Sequence, residues 1–358
     1  TIDYVNGVDP NTGLKYPSFF ASANGCNAKP QDFPDWQTWV RAFGVDQCYI
    51  QTPVGWMYNA SALARWTAVK DTSWSGSCFG LAILSQLGFD NPTECVTVFP
   101  ELGTFVNLHD LTINNGRRDA INMTWAKQFG KVSQEHMDSS ILIFPRTTVQ
   151  RCRAILDTLS CSQRTTAISF CDWPSGGGGG CHTVTPVRVV KDPARPTFWL
   201  IEVYDNNYPD SIGLAIEVDT AANVWQYRPF GWVNTHHLFM EDPIEHYKQP
   251  AVLAASARTL RSTADEDGLQ SVFVHAAGTA IFNSALGAIG KVGDSIVADS
   301  GAGRPIVPKS GPGAPVIGVR MPPGDWTASF GALHDSTLRL MIDGGQALTH
   351  LVLDVAAD

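Results

Sequence analysis

The stretch SGSCFGLAILSQLG (residues 75–88) predicts a buried helix that begins at a cysteine. Ser75 or Ser77 would cap its start, the run after Cys78 is largely apolar, and Gly88 is a typical stop signal. A thiol in the first turn of a helix lies at the positive end of the dipole, among backbone N–H groups without intrahelical acceptors. Both features favour the thiolate, which is the reactive form of cysteine. Cys78 is therefore a candidate nucleophile; the structural alternatives are a disulfide to Cys95 or an inert core thiol.

Length and charge limit the classes of function. The 358 residues can form two domains, and charged residues make up only 16% of the chain. The formal net charge of -9, with no run of Lys or Arg, disfavours nucleic acid as a partner. No apolar run reaches the roughly 18 residues that span a bilayer. The sequence therefore predicts a globular protein without a membrane span, and it leaves the oligomeric state open.

The eight cysteines indicate an oxidising, extracellular environment. Several stand in close pairs within loop-like sequence, and the absence of any C-x2-C pair disfavours zinc. The chain begins with TIDYVNG and not with Met, as expected if a leader was removed or the sequence trimmed. We expect a secreted protein in which Cys95 is buried and reduced. The expected disulfides are Cys26–Cys48, Cys152–Cys161 and Cys171–Cys181.

Periodicity divides the chain into two parts. Short helices are predicted near residues 35–43, 78–88, 122–132 and 149–159, and ILIF (141–144) is predicted as a strand. A strand-rich block follows with AISF, HTVTPVRVV, FWLIEVYD, GLAIEVD and NVWQYRP. After about residue 250, cysteine and Trp nearly vanish and short alternating runs recur roughly every ten residues, which is typical of a small antiparallel sandwich. We therefore expect an α+β domain at residues 1–250 and a β-sandwich at residues 251–358.

The best base for a Cys78 nucleophile is His182, in GGGGGCHTVTPVRVV. A nucleophilic thiol needs a base, and the base needs a third group that orients it. His182 opens an alternating strand, so a rigid element holds it beside a glycine run whose backbone can approach a ligand closely. The predicted role of His182 is to act first as general base and then as general acid.

The orienting group is predicted on the next strand, WLIEVYDNN. The turn at Lys191-Asp192-Pro193 makes the two strands a hairpin, which returns residues 204–207 to the level of His182. Asp205 shares the face of Ile201 and Val203, as an inward carboxylate would. A turn-capping role for Asp205 is the alternative, and Asn206 is the second candidate for the orienting group.

This arrangement resembles the papain-like cysteine peptidases over roughly residues 45–245. The family also runs G-S-C-aromatic at the start of a central helix, then a Gly-preceded His on a strand, then Asn or Asp on the neighbouring strand. G-S-C-F at Cys78, G-C-H at His182 and Y-D-N-N at Asp205 follow that order. The resemblance implies a papain-like fold, hydrolysis of peptide or amide bonds in a protein or peptide substrate, and neither a metal nor an organic cofactor.

The chain lacks the glutamine that papain-like peptidases place before the nucleophile. The family has a Gln about six residues before the nucleophile, which helps to bind the oxyanion, and Thr72 occupies that position here. Either the Cys78 N–H together with a Thr72 or Ser73 hydroxyl fills this role, or the oxyanion hole is weakened. It also stays open whether residues 1–70 occupy the cleft as a pro-segment would.

The same residues also fit three other functional interpretations. GSCFG also fits the nucleophile elbow of an α/β-hydrolase, but that motif needs a preceding strand and an acid before the histidine. A catalytically weak papain-like domain serving as a binding or adhesion module fits the missing Gln and the weakly charged surface. Acyl transfer by the same triad, as in transglutaminases, is a third possibility.

Overall fold

A computed structural model describes most of the chain. The described residues are 36–53, 55–70, 77–105, 111, 114–138, 155–156, 166–172, 180–208, 211–222, 224–233, 237–253, 270–275, 279–292, 295–299, 303–306, 311–312, 318–322, 325–331, 337–343 and 348–354. Helices precede the main antiparallel sheet along the chain, and two further antiparallel sheets follow it. The chain is therefore an α+β protein, as the sequence predicts.

The described part of the N-terminal half is mainly helical. A hairpin of two strands, β1 (Tyr49–Thr52) and β2 (Gly55–Tyr58), interrupts the helices. The helices are α1 (Trp36–Phe43), α2 (Val45–Cys48), α3 (Ala60–Lys70), α4 (Cys78–Asp90), α5 (Pro92–Val98), α6 (Asn115–Ala126) and α7 (Lys131–Asp138). Their buried side chains, rich in Trp and Phe, form one continuous core.

Helix α4 is the centre of this half. It begins at Cys78, as predicted, but it continues past Gly88 to Asp90. Most of its residues are buried, so its apolar sequence reflects contact with neighbours on several sides. At Gly80 the backbone of α6 comes so close that an added Cβ would lie 2.2 Å from the Ile121 carbonyl oxygen. Only glycine permits this contact, which fixes α6 against the first turn of α4.

The main antiparallel sheet holds the predicted strand block. Its strands are β3 (Ile168–Asp172), β4 (Gly180–Lys191), β5 (Phe198–Tyr204), β6 (Ala215–Asp219), β7 (Val224–Tyr227), β8 (Trp232–Val233) and β9 (His237–Met240). They are ordered β8-β7-β6-β5-β4-β3-β9. The predicted hairpin is present, because Lys191 pairs with Trp199 and Thr185 pairs with Tyr204. The C-terminal end of β5 therefore lies beside Thr185 in the middle of β4, close along the strand to His182.

Two more sheets follow residue 270. The strands of this part of the chain are β10 (Gln270–His275), β11 (Thr279–Ser284), β12 (Gly287–Val292), β13 (Ser295–Ala298), β14 (Arg304–Ile306), β15 (Gly311–Pro312), β16 (Gly318–Met321), β17 (Thr327–Gly331), β18 (Thr337–Asp343) and β19 (Leu348–Asp354). One sheet is ordered β14-β16-β10-β18-β19 and the other β13-β12-β11-β17, and buried side chains from both form a shared core. Strand β15 instead pairs with β4, with Gly311 opposite Cys181. The predicted boundary near residue 250 stays a prediction.

The cysteine predictions have mixed outcomes. Cys171 and Cys181 form the predicted disulfide, and Cys95 is buried and reduced as expected. The predicted Cys26–Cys48 disulfide is wrong, because Cys48 is a buried free thiol within the helical core. Several other predictions lie wholly or largely outside the described residues: the Cys152–Cys161 bridge, the strand at 141–144, the helix at 149–159, a Ser75 cap, and the roles of Thr72 and Ser73.

Candidate functional site

Cys78 is the first residue of α4 and carries a free thiol. It is buried, with 1% of its surface exposed. Ser77 occupies the N-cap position, but its side chain makes no capping bond to the helix. Its hydroxyl instead donates to Oδ1 of Asn122 on α6, at 3.3 Å. The start of α4 is thus tied to α6 at the residue that precedes the thiol.

His182 lies near the start of β4 and is completely buried. Its strand position is fixed from β3, where Phe170 pairs with His182 and Cys171 pairs with Cys181. The Cys171–Cys181 disulfide adds a covalent link one residue before the imidazole. A sheet register and a crosslink therefore hold the backbone of His182, which limits the freedom of its side chain.

Asp205 follows the end of β5 and contacts the imidazole directly. His182 Nε2 and Asp205 Oδ1 are 2.9 Å apart, and both side chains are buried. Tyr227, at the end of β7, donates its hydroxyl to Asp205 Oδ2 at 2.5 Å. The carboxylate is thus held on both oxygens, as required of a group that fixes the orientation of a histidine ring.

Asp205 also caps its own turn. The backbone N–H of Asn207 donates to Asp205 Oδ1 at 2.8 Å, and the N–H of Tyr208 donates to the Asp205 carbonyl at 2.9 Å. The neighbouring Asn206 has its amide nitrogen 3.5 Å from Asn207 Oδ1. Of the two candidates for the orienting group, Asp205 is therefore the one bonded to His182.

Cys78 acts on the imidazole electrostatically. Burial alone lowers the pKa of His182, but the negative charge of Cys78 and the hydrogen bond of Asp205 outweigh it and raise that pKa to about 9. The remaining ring nitrogen, Nδ1, makes no hydrogen bond of standard geometry to a described residue. The interaction of Cys78 with the imidazole is therefore one of charge, and catalytic hydrogen bonds are often long or misaligned before substrate binds.

The pKa directions around Asp205 are consistent with an ionised carboxylate. Burial raises the pKa of Asp205, but the hydrogen bond and charge of His182, together with the Tyr227 hydroxyl and the Asn207 N–H, lower it overall. Burial and the adjacent carboxylate raise the pKa of Tyr227, so its hydroxyl stays protonated and donates. The three side chains form a buried donor–acceptor chain that is compatible with a charged imidazolium.

Two aromatic side chains pack against His182, and neither contact was predicted from the sequence. Phe230 meets the imidazole edge to face with ring centroids 4.6 Å apart, and Phe170 lies 5.6 Å away. Phe170 also contacts Tyr227 at 5.0 Å. The alternation of AISF and NVWQY places Phe170 and Tyr227 on inward faces, which is a usable sequence signal. Phe230 lies in a 3-10 turn whose position no periodicity predicts.

The described residues lack both a metal-binding cluster and a membrane-spanning helix. They contain no group of three or more His, Cys, Asp or Glu side chains placed to hold a metal ion. No described helix is both long enough and apolar enough to cross a membrane.

Comparisons with protein-family models, with curated proteins and with solved structures found no match to this chain.

Proposed function

We propose that this chain is a secreted cysteine hydrolase that cleaves peptide or amide bonds with Cys78, His182 and Asp205. The observation that carries the proposal is the buried chain from Tyr227 through Asp205 to His182, with a free thiol at a helix start acting on the same imidazole. Nucleophile, base and orienting group are the parts that thiol acyl chemistry needs. A papain-like fold for residues 1–250 and an accessory β-sandwich for residues 251–358 belong to the same proposal.

In the acylation step, the Cys78 thiolate attacks the carbonyl carbon of the substrate. The π electrons of the carbonyl move onto its oxygen, which becomes an anion. When they return, the C–N bond breaks and the His182 imidazolium gives its proton to the leaving amine. The products of this half-reaction are a free amine, a thioester on Cys78 and a neutral imidazole.

In the second step, water replaces the amine. Neutral His182 takes a proton from the water molecule as its oxygen attacks the thioester carbon. The collapse of this intermediate releases a carboxylic acid and restores the thiolate beside the imidazolium. Asp205 keeps the ring oriented through Nε2 in both steps, so Nδ1 is the nitrogen that exchanges protons.

The disulfide supports the extracellular part of the proposal. Stable disulfides are typical of proteins in oxidising compartments. The Cys171–Cys181 bridge is buried and adjoins the proposed base, so a reducing environment would weaken the structure that holds His182.

Alkylation with iodoacetamide tests the nucleophile. Cys78 should label well below neutral pH, where an unperturbed thiol with a pKa of about 8.5 is almost entirely protonated. The His182→Ala variant should shift the labelling curve to higher pH because the cationic partner is lost, and Asp205→Ala should have a smaller effect. The rate should be measured where it rises linearly with reagent concentration, so that the reaction and not local opening limits it.

The chain supplies its own controls for this experiment. Cys48 and Cys95 are also buried and reduced; burial and Asp46 raise the pKa of Cys48, and burial and Glu94 raise the pKa of Cys95 to about 11. Peptide mapping should show Cys78 labelled first. If Cys78 labels no faster than these two, or if His182→Ala leaves its rate unchanged, the enzyme assignment is wrong.

One observation favours the binding-module alternative. Cys78 and His182 are almost completely covered, so a substrate can reach them only after part of the structure moves. A binding module needs no such movement. It predicts a slow Cys78 whose alkylation does not depend on His182, which the same experiment measures.

A further inference from the structure

Asn122 has an unusual environment beside the proposed nucleophile. It lies on α6, and none of its surface is exposed. With the amide assigned so that Oδ1 accepts from the Ser77 hydroxyl, Nδ2 is left buried without a hydrogen-bond partner among the described residues. Buried amide donors are nearly always paired, so an unpaired one calls for an explanation.

The packing of two helices sets the position of this amide. The backbone of α6 touches α4 at Gly80, where an added Cβ would lie 2.2 Å from the Ile121 carbonyl oxygen and 3.0 Å from Cβ of Trp125. Asn122 follows Ile121 in the chain and contacts Ser77, the residue before Cys78. Its amide is therefore held at the same end of α4 as the thiol.

This end of α4 is where negative charge would develop. When a thiolate at the first helical residue attacks a carbonyl, the oxygen anion forms next to the helix start, where backbone N–H groups and the dipole favour negative charge. A fixed donor aimed at such an anion stabilises the transition state because it needs no reorganisation. A buried donor without a partner is suited to this task, since no existing bond has to break.

We propose that Nδ2 of Asn122 donates a hydrogen bond to the oxygen anion formed when Cys78 attacks a substrate carbonyl. This inference rests on the proposed hydrolase function and adds a further catalytic residue to it. The carbonyl π pair moves onto oxygen as the S–C bond forms, and Asn122 binds that oxygen until the pair returns and the leaving group departs. No proton is transferred to or from Asn122.

Two reactions of the same thiol separate this role from a structural one. The probe p-nitrophenyl acetate acylates Cys78 through an oxygen anion and releases p-nitrophenolate. Iodoacetamide alkylates the same sulfur at a tetrahedral carbon, displaces iodide and forms no oxygen anion. A donor to the anion therefore contributes to the first reaction only, whereas a residue that shapes the helix start contributes to both.

The Asn122→Ala variant is the main test. We expect acylation of Cys78 to slow by about 100- to 1000-fold, the usual effect of removing one such donor, while alkylation changes by less than about threefold. Ser77→Ala is the matched control, because it removes the bond to Oδ1 and leaves Nδ2 in place. It should slow acylation far less than Asn122→Ala does.

A second variant keeps the test informative if Asn122→Ala does not fold. The double variant Ser77→Ala/Asn122→Leu keeps a similar shape and removes the unpaired donor together with both partners of the Ser77–Asn122 bond, so its stability should stay close to that of Ser77→Ala while its acylation is lost. Equal losses in both reactions, or no loss in either, would overturn the role of Asn122 and leave the hydrolase proposal intact. Alkylation that is independent of His182 would instead overturn the proposed function.

Discussion

Replacing Tyr227 with Phe isolates one bond of the proposed catalytic chain. The change removes only a hydroxyl, whose oxygen is 2.5 Å from Asp205 Oδ2. It leaves intact the 2.9 Å contact between Asp205 and His182 and the 2.8 Å bond from the Asn207 N–H. The aromatic contact of residue 227 with Phe170 also stays possible, because Phe has the same ring.

The expected loss follows from the charge and burial of the acceptor. A hydrogen bond to a charged group contributes about 1.5–3 kcal/mol, roughly twice a neutral one. Asp205 is 1% exposed and Tyr227 is fully buried, so water cannot easily replace the missing donor. We therefore expect Tyr227→Phe to lower the unfolding free energy of the main sheet by about 2 kcal/mol.

Hydrogen exchange of backbone amides in β4 and β5 measures this loss locally, even if the chain does not unfold in one step. The expected pH dependence follows from the direction of the pKa shift. Burial raises the pKa of Asp205, but His182 and Tyr227 lower it overall, so the carboxylate stays ionised below its usual range. The difference between wild type and variant should persist from neutral pH to about pH 4 and shrink only when Asp205 becomes protonated.

Tyr208→Phe is the matched control, because Tyr208 lies beside Phe230 but is exposed. Removing an exposed hydroxyl usually changes stability by less than about 0.5 kcal/mol. If Tyr227→Phe behaves like this control, or if its effect disappears well above pH 4, then Tyr227 does not support the Asp205 carboxylate and the proposed donor–acceptor chain is wrong.

Three further predictions test the surroundings of the site. Replacing Cys171 and Cys181 by Ser should cost about 3 kcal/mol of stability by the chain-entropy model, measured by urea unfolding. Burial lowers the pKa of His182, but Cys78 and Asp205 raise it to about 9 in the free protein, so kcat/KM for amide hydrolysis should decline with an apparent pKa of about 9, whereas alkylation should not. Gly80→Ala would gain about 1 kcal/mol in an exposed helix. Here the new Cβ would lie 2.2 Å from a backbone oxygen, so thermal denaturation should show a net loss.

Local sequence patterns predicted the parts of the site that lie on regular elements. The helix start at Cys78, the strand at His182 and the hairpin that returns Asp205 all follow from local patterns. The turn at Lys191-Asp192-Pro193 fixed the register closely enough to bring Asp205, just after the Tyr204–Thr185 pair, within hydrogen-bond reach of His182. These features need only short-range information, because a helix cap and a two-strand turn are read from neighbouring residues.

Features that depend on distant residues were not predictable. The Cys26–Cys48 pairing was inferred from spacing, and spacing does not determine whether two Cα atoms approach to bonding distance. Cys48 instead packs into the core with Tyr49. Asn122 shows no pattern in its own helix, since its significance comes from Ser77, far away in the sequence. The glycine-rich strand β12 lacks the alternation that identifies strands, so it was also missed.

A turn-capping role for Asp205 was an alternative prediction to orienting His182, but Asp205 makes both contacts in the structure. An ionised carboxylate offers about four acceptor positions, and here Oδ1 accepts from both the Asn207 N–H and the His182 ring while Oδ2 accepts from Tyr227. The turn bond holds the carboxylate in the position from which it reaches the imidazole. A residue that caps a turn beside a buried histidine is therefore a better candidate for an orienting group, because the local bond removes the freedom that would weaken the distant one.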